Sequence, residues 1–302
     1  MTEDVQTLFE RAGCSGQLCV QSLDGTREIT VGADRPAVPA SVIKVLIALV
    51  AEARFEDRTI DPTERTLLSA ADPVPGPVGF SLYQDDIEVS LRDLVVPMLT
   101  ISDNVATDAL LHRLGTDAVN AYGEQLGLTN TIITSDIRTL IDSIGQDAGF
   151  AGWNAMVNGI AAAQDDKAEI DRIDACVFAS GALDPARGHR TTARDMTALL
   201  RLIWTGEAGP PKACARLRQV MGLQLTKNRL ASGFRPPVRV AAKSGGLAGF
   251  VRNEVGVIEY PDGDVYIAAV FTQSKDGDNS TINAVIGQAA AAAVAQLRSR
   301  AS

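Results

Sequence analysis

The chain has 302 residues, 46% of them hydrophobic and 22% charged, with a formal net charge of −9. There is apolar material for one large domain or two smaller ones, and the acidic excess argues against nucleic-acid and anionic-membrane partners, whose phosphates it would repel. The longest apolar runs, 45–51 and 289–295, are too short to span a bilayer.

The start, Met-Thr-Glu-Asp-Val-Gln, lacks the basic and apolar regions of a secretory leader. A cytoplasmic location is therefore expected; an exported chain that had lost its leader would begin the same way. Residues 4–12 are expected to form a helix with Val5, Leu8 and Phe9 on one face. A strand at 17–22 turns at Asp24-Gly25 and returns at 28–31. A helix at 41–54 follows, apolar near its start except for Ser41 and Lys44. The stretch 71–79 is rich in proline and glycine and reads as a loop. A short helix at 91–99, kinked at Pro97, leads to Ser102 or Asp103 as the cap of a helix at 105–114, which stops at Gly115. Another helix spans 117–126, with Thr116 as its cap.

Between 130 and 190 the pattern is weaker. It supports a helix at 153–164, charged surface around 165–167 and a loop at 186–192, with Thr191 or Thr192 capping a helix at 193–204. A helix at about 213–221 precedes strands at 238–243, 253–259 and 265–272, the last two joined by a hairpin at Pro261-Asp262-Gly263. The end, 281–297, reads as a helix covering the sheet, with Ile282, Val285 and Ile286 on one stripe. Strands at both ends and helices between predict an α+β fold. One antiparallel sheet with terminal helices would come from residues 1–40 and 205–302, and a mainly all-α part from 41–204.

Cys14, Cys19, Cys176 and Cys214 lack the spacing of a metal site and read as small buried hydrophobes. Neither histidine, His112 or His189, accompanies a G-x-S-x-G elbow, which disfavours a Ser-His-Asp triad. The chemistry lies elsewhere. Lys44 sits in an apolar run, where a buried ammonium costs several kcal/mol unless it is paired or deprotonated. Ser41-Val42-Ile43-Lys44 places a hydroxyl and an amine on one helix face, since residues three apart are neighbours. Ser102-Asp103-Asn104 sits in a turn between helices. Lys243-Ser244-Gly245-Gly246 closes a strand with glycines that admit close approach of a ligand. Each motif alone has a bland reading: chance, helix capping, a strand end. All three in this order carry far more weight.

The set resembles the S-x-x-K, S-D-N, K-T-G signature of class A β-lactamases and penicillin-binding proteins, with serine for threonine in the third motif. Matching stretches include 101–107, Leu126-Gly127-Leu128-Thr129, Thr191-Thr192-Ala193-Arg194-Asp195 and Val251-Arg252-Asn253-Glu254. The resemblance implies a β-lactamase/transpeptidase-like fold, an α/β part and an all-α part with the active site between them. It also implies roles. Ser41 would be the nucleophile, with Lys44 within reach of its hydroxyl as a base if neutral or as an orienting and stabilising group if charged, and Ser102 the relay of a proton to the leaving nitrogen. Asn104 would bind the acyl side chain; Lys243, Ser244 and Arg252 would bind a substrate carboxylate. The N–H groups of Ser41 and Gly246 would form the oxyanion hole. No metal or organic cofactor is required, and the partner is a small amide, lactam or ester.

The chain departs from the family at one point. Class A enzymes carry an Ω-loop glutamate, in an E-P-x-L-N context, that activates the deacylating water. Here that position falls near Ile137, and no glutamate occurs between Glu124 and Glu169. Asp136 and Asp142 are the nearby carboxylates and the candidates for activating water. An added segment at about 145–188 is expected to reshape or cover the cleft. Acylation machinery is complete, and the usual deacylation group is missing. The leading expectation is a serine hydrolase with weakened β-lactamase action. The alternatives are a D-amino-acid peptidase, esterase or transacylase on the same fold, and a non-catalytic lactam- or peptide-binding protein.

Overall fold

The computed structural model describes residues 5–275 and 277–299. Asp4, the first residue of the expected N-terminal helix, lies outside them. Helix α1 (Val5–Arg11) leads into a hairpin of β1 (Ser15–Ser22) and β2 (Glu28–Val31). A 3-10 turn over Ala40–Ile43 opens directly into α2 (Lys44–Glu56). A two-stranded ribbon, β3 (Arg65–Leu68) with β4 (Ile87–Ser90), precedes α3 (Leu91–Thr100), α4 (Asn104–Leu114) and α5 (Thr116–Gln125). Then come α6 (Ile137–Asp147), α7 (Trp153–Ala162), α8 (Lys167–Phe178), α9 (Ala193–Thr205) and α10 (Pro211–Gly222). Strands β5 (Arg239–Leu247), β6 (Val251–Glu259) and β7 (Val265–Gln273) and helix α11 (Asn279–Ser299) complete the fold.

The two ends of the sequence meet in one antiparallel sheet of order β2-β1-β7-β6-β5, as the strand distribution predicts. Both faces of its centre are covered, so β7 is buried from Tyr266 to Phe271. Alternate residues serve different cores. Leu18, Val20, Ala268 and Val270 pack with α1 and α11, whereas Cys19, Ile267, Ala269 and Phe271 join the core around α2. Helix α2 is the hub of that second core. Every residue from Lys44 to Ala53 is buried, so it is a helix enclosed all round rather than an amphipathic surface helix. The expected boundary between the two parts, at 204/205, falls at the end of α9, and that helix packs on β7, β1 and β6.

Three features exceed the sequence reading. Helix α6 carries Ile137, Leu140, Ile141 and Ile144 on one buried face, at helical spacing, with Asp136 capping it through a bond from Thr139 N (2.8 Å). The charged stretch after Asp165 is not only surface: it is α8, capped by Asp166 and built around buried Ile173 and Val177. The short β3–β4 ribbon has no alternating pattern long enough to announce it. Among the described residues no helix is long and apolar enough to cross a membrane.

Candidate active site

The three motifs, distant in sequence, converge at the junction of α2, α4 and β5. Ser41 is half-buried in the 3-10 turn before α2. Its neighbour Ala40 has a left-handed backbone (φ 48°), which sets the sharp entry of that turn. Strand β5 is the edge of the sheet, and its free side runs against the turn. A Cβ on Gly245 would lie 2.9 Å from Pro39 O and 3.2 Å from Ser41 N, so only glycine lets the strand come this close.

Lys44 Nζ, fully buried, donates to Ser102 O and Asn104 Oδ1 at 2.7 Å each, and lies 3.4 Å from Ser102 Oγ and Asp103 O. Burial is the main cause that draws its pKa down to about 7, partly offset by Asp103 and Asp108. The two short contacts are to oxygens that can only accept. A neutral amine has two N–H groups for them and keeps a lone pair for a hydroxyl proton. The sequence places this amine within reach of the Ser41 hydroxyl; here its side-chain hydrogen bonds run instead to residues 102–104, and only its backbone N–H meets Ser41, at the carbonyl.

Ser102 itself has φ 65°, a strained value for a non-glycine residue, held by the groups on either side. Asp103 is the N-cap of α4, accepting from Ala106 N (2.8 Å), and its other oxygen accepts from Phe80 N (2.6 Å). Asn104 is engaged at both ends, its amide donating to Pro75 O (2.7 Å). Lys243 is fully buried and donates to Ser244 O (2.7 Å); burial first, then the neighbouring charge of Lys44, holds its pKa well below the ordinary lysine value. Ser244 is half-buried, its hydroxyl 3.4 Å from Thr226 Oγ1.

Beneath this edge lies a polar network that the sequence reading did not single out. Gln224 Oε1 accepts from Ser244 N (2.5 Å), and its amide donates to Glu254 (2.9 Å), which also accepts from Leu230 N. Glu254 is buried, and its pKa is raised by burial. Arg229 donates to Gly245 O (2.6 Å) and Asn253 O (2.8 Å); burial brings its pKa down to about 10. Asn253 Nδ2 reaches Val38 O (2.8 Å) and Pro39 O (3.0 Å), tying the Ser41 turn to the sheet. The signal for these residues was present: Asn253-Glu254 is a polar pair in a strand otherwise almost wholly buried and apolar.

A model of the beta-lactamase enzyme family matches residues 1–297. The chain belongs to that family. The beta-lactamase regulatory protein BlaB of Streptomyces cacaoi is 26% identical over 287 residues, covering 91% of this chain and 89% of BlaB. PBP-A, a solved structure, is 22% identical with a TM-score of 0.75, over 98% of this chain and 94% of its own. An ancestral class A β-lactamase reconstructed for Gram-negative bacteria is 21% identical with a TM-score of 0.76, over 98% and 99%. The fold is thus that of class A β-lactamases and PBP-A.

Within this β-lactamase-family chain the expected water-activating carboxylates do other work. Asp136 caps α6 and pairs with His112 Nε2 (2.7 Å) on the protein surface. Asp142 accepts from Trp153 N (3.0 Å) and holds the start of α7. The structure brings neither beside Ser41 or Lys44 through a hydrogen bond. The position where the β-lactamase glutamate was expected, near Ile137, is the first turn of α6, where the backbone N–H groups of Ile137 and Arg138 bond to buried Asp108 (2.7 and 2.9 Å).

A cleft of about 660 Å³ opens beside the three motifs. Asn104, Gly246 and Arg252 line it, along with the proline-rich loop 73–77 and the start of α7. Part of the segment at 145–188, the start of α7, thus forms one wall of the cleft.

Proposed function

We propose that the protein is an acyl-serine hydrolase that opens amide, lactam or ester bonds and releases its acyl group slowly. The observation that carries this reading is Lys44: fully buried, poised near neutrality, and pinned beside Ser102 at the foot of the Ser41 turn. A lysine kept only for structure would be paired with a carboxylate, and this one meets carbonyl, amide and hydroxyl oxygens.

In the proposed reaction neutral Lys44 takes the Ser41 hydroxyl proton as Oγ attacks the carbonyl carbon. The N–H groups of Ser41 and Gly246 hold the oxyanion. As the C–N bond breaks, the proton passes from the Lys44 ammonium through the Ser102 hydroxyl to the leaving nitrogen. Lys44 is neutral again, and Ser41 carries the acyl group. Arg252 supplies the positive charge for a substrate carboxylate, with Lys243 and Ser244 as hydrogen-bond donors beside it, and one amide hydrogen of Asn104 not taken by Pro75 is free for the acyl side. Hydrolysis of the ester has no dedicated carboxylate, because Asp136 and Asp142 are occupied, and rests on Lys44 alone.

A second reading follows from that shortfall. A long-lived acyl-enzyme reports the presence of a lactam, and a relative in the family is named as a β-lactamase regulatory protein. Intact-mass measurement after mixing with benzylpenicillin tests both, with Ser41→Ala as control. An adduct that persists for hours supports slow release, and rapid clearance with turnover identifies a working β-lactamase. No adduct on the wild type, with no Ser41-dependent ester hydrolysis, sinks the acyl-serine assignment.

A further inference from the structure

We infer that the cleft selects acyl donors with a bulky, uncharged, apolar side chain, and that Trp153 and Val157 of α7 set this preference; the inference rests on the acyl-serine reading and names its substrate class. The walls of the cleft are mainly apolar on three sides, with Ser81 and Asn154 as uncharged polar members. Pro73, Val74, Pro75 and Pro77 form one, Leu247 and Ala248 at the β5–β6 turn a second, and Ile141, Trp153 and Val157 the third. Among the described residues that line the space, Arg252 is the one charged side chain and none is a carboxylate. A cationic side chain would therefore enter without a counter-ion, and an aromatic or branched one would find a volume within the usual range of small-molecule sites.

The wall has a firm attachment. Asp142 accepts from Trp153 N, fixing the first turn of α7 on α6. Trp153 packs against both the α2 core and the cluster of α6, α7 and α8, so its ring cannot swing away freely. Val157, one turn on, is 44% exposed and lines the cleft, so its isopropyl group is available to an occupant. The opposite wall is bound to the site itself, since Pro75 O receives the Asn104 amide, and the same Asn104 receives Lys44. An acyl group resting between these walls would thus lie next to the reacting carbonyl.

The test uses full-length Ser41→Ala, in which binding is read without acylation, and isothermal titration with two probes. Benzylpenicillin carries a phenylacetyl group; 6-aminopenicillanic acid has the same nucleus and a free amine. Burying a phenyl ring corresponds to roughly 10- to 100-fold in affinity, so benzylpenicillin is expected to bind more tightly by about that factor. In Ser41→Ala/Val157→Asp the ratio of the two affinities should fall towards one. Ser41→Ala/Trp153→Ala should do the same, and circular dichroism checks that both remain folded. Equal affinity for the two probes, no binding of either, or an unchanged ratio in the folded variants would overturn the inference. Wild-type mass shifts report the acyl-serine reading separately, so preferential binding without any adduct would sink that reading and leave the cleft assignment standing.

Discussion

Lys44 Nζ lies 2.7 Å from the carbonyl oxygen of Ser102, a residue 58 positions away whose backbone is held at φ 65°. The strained turn and the buried amine depend on each other. The carbonyl can face the amine because the backbone is turned into this region, and the amine gains an acceptor that is not a charge.

The pKa of Lys44 is drawn down to about 7, so the proposed mechanism predicts pH-dependent acylation. If the neutral amine is the base, the second-order rate constant for acylation by benzylpenicillin should rise from pH 5 and level off above about pH 8, with a midpoint near 7. Stopped-flow or quenched mass measurements across this range check it. A flat profile would remove Lys44 from the role of base.

The same shift bears on stability. Unfolded, Lys44 titrates near 10.4. Between about pH 7 and that value the unfolded chain holds a proton that the folded chain lacks, so stability increases as pH rises. Lys243, also depressed by burial, acts in the same direction. Urea unfolding at pH 7 and pH 9 should show the wild type gaining about 2 kcal/mol more than Lys44→Met over this interval. Equal gains in the two proteins would mean that Lys44 stays protonated.

Gly245→Ala probes the approach of β5 to the nucleophile. The added methyl would sit 2.9 Å from Pro39 O, a backbone contact that cannot rotate away. The strand must shift, at about 1–3 kcal/mol, carrying Gly246 N away from the proposed oxyanion position. A loss of acylation of at least about tenfold, with the fold retained in circular dichroism, is the expected result. Wild-type acylation would show that the strand is not part of the site.

Asp136→Ala and Asp142→Asn separate capping from catalysis. The first removes an N-cap and should lower stability by about 0.5–2 kcal/mol. Neither should change the rate at which a benzylpenicillin adduct clears. Slower clearance in either variant would return that carboxylate to the role of water activator.

Gln224→Leu removes the acceptor of Ser244 N–H and a donor to Glu254 in one step. Leaving buried polar groups unpaired costs about 1–3 kcal/mol. Substrate affinity should fall more than the maximal acylation rate, because Ser244 is proposed to bind the substrate carboxylate and not the reacting carbonyl. A loss confined to the maximal rate would contradict that placement.

The motifs were legible because each joins residues near one another in sequence. Ser41 with Lys44, the run 102–104 and the run 243–246 each declare their chemistry through residue type and local spacing, and the two-ended sheet follows from where strand patterns occur. Asn253 and Glu254 belonged to a stretch that matches the family, but residue type alone assigned them no role. A polar pair inside an apolar strand implies partners, and nothing in the linear order says that these are Val38, Pro39, Gln224 and Leu230.

Asp136 and Asp142 show the limit from the other side. A carboxylate in roughly the right stretch of sequence can be a base or a cap, and the choice depends on which N–H groups the fold places within 3 Å of it. Here they are Thr139 N and Trp153 N. Residue types and short-range periodicity thus specify the three polar motifs and the α+β class. Long-range packing assigns their partners, the wall that α7 gives the cleft and the backbone N–H groups that Asp136 and Asp142 accept from, because hydrogen-bond distance and burial are properties of the folded chain alone.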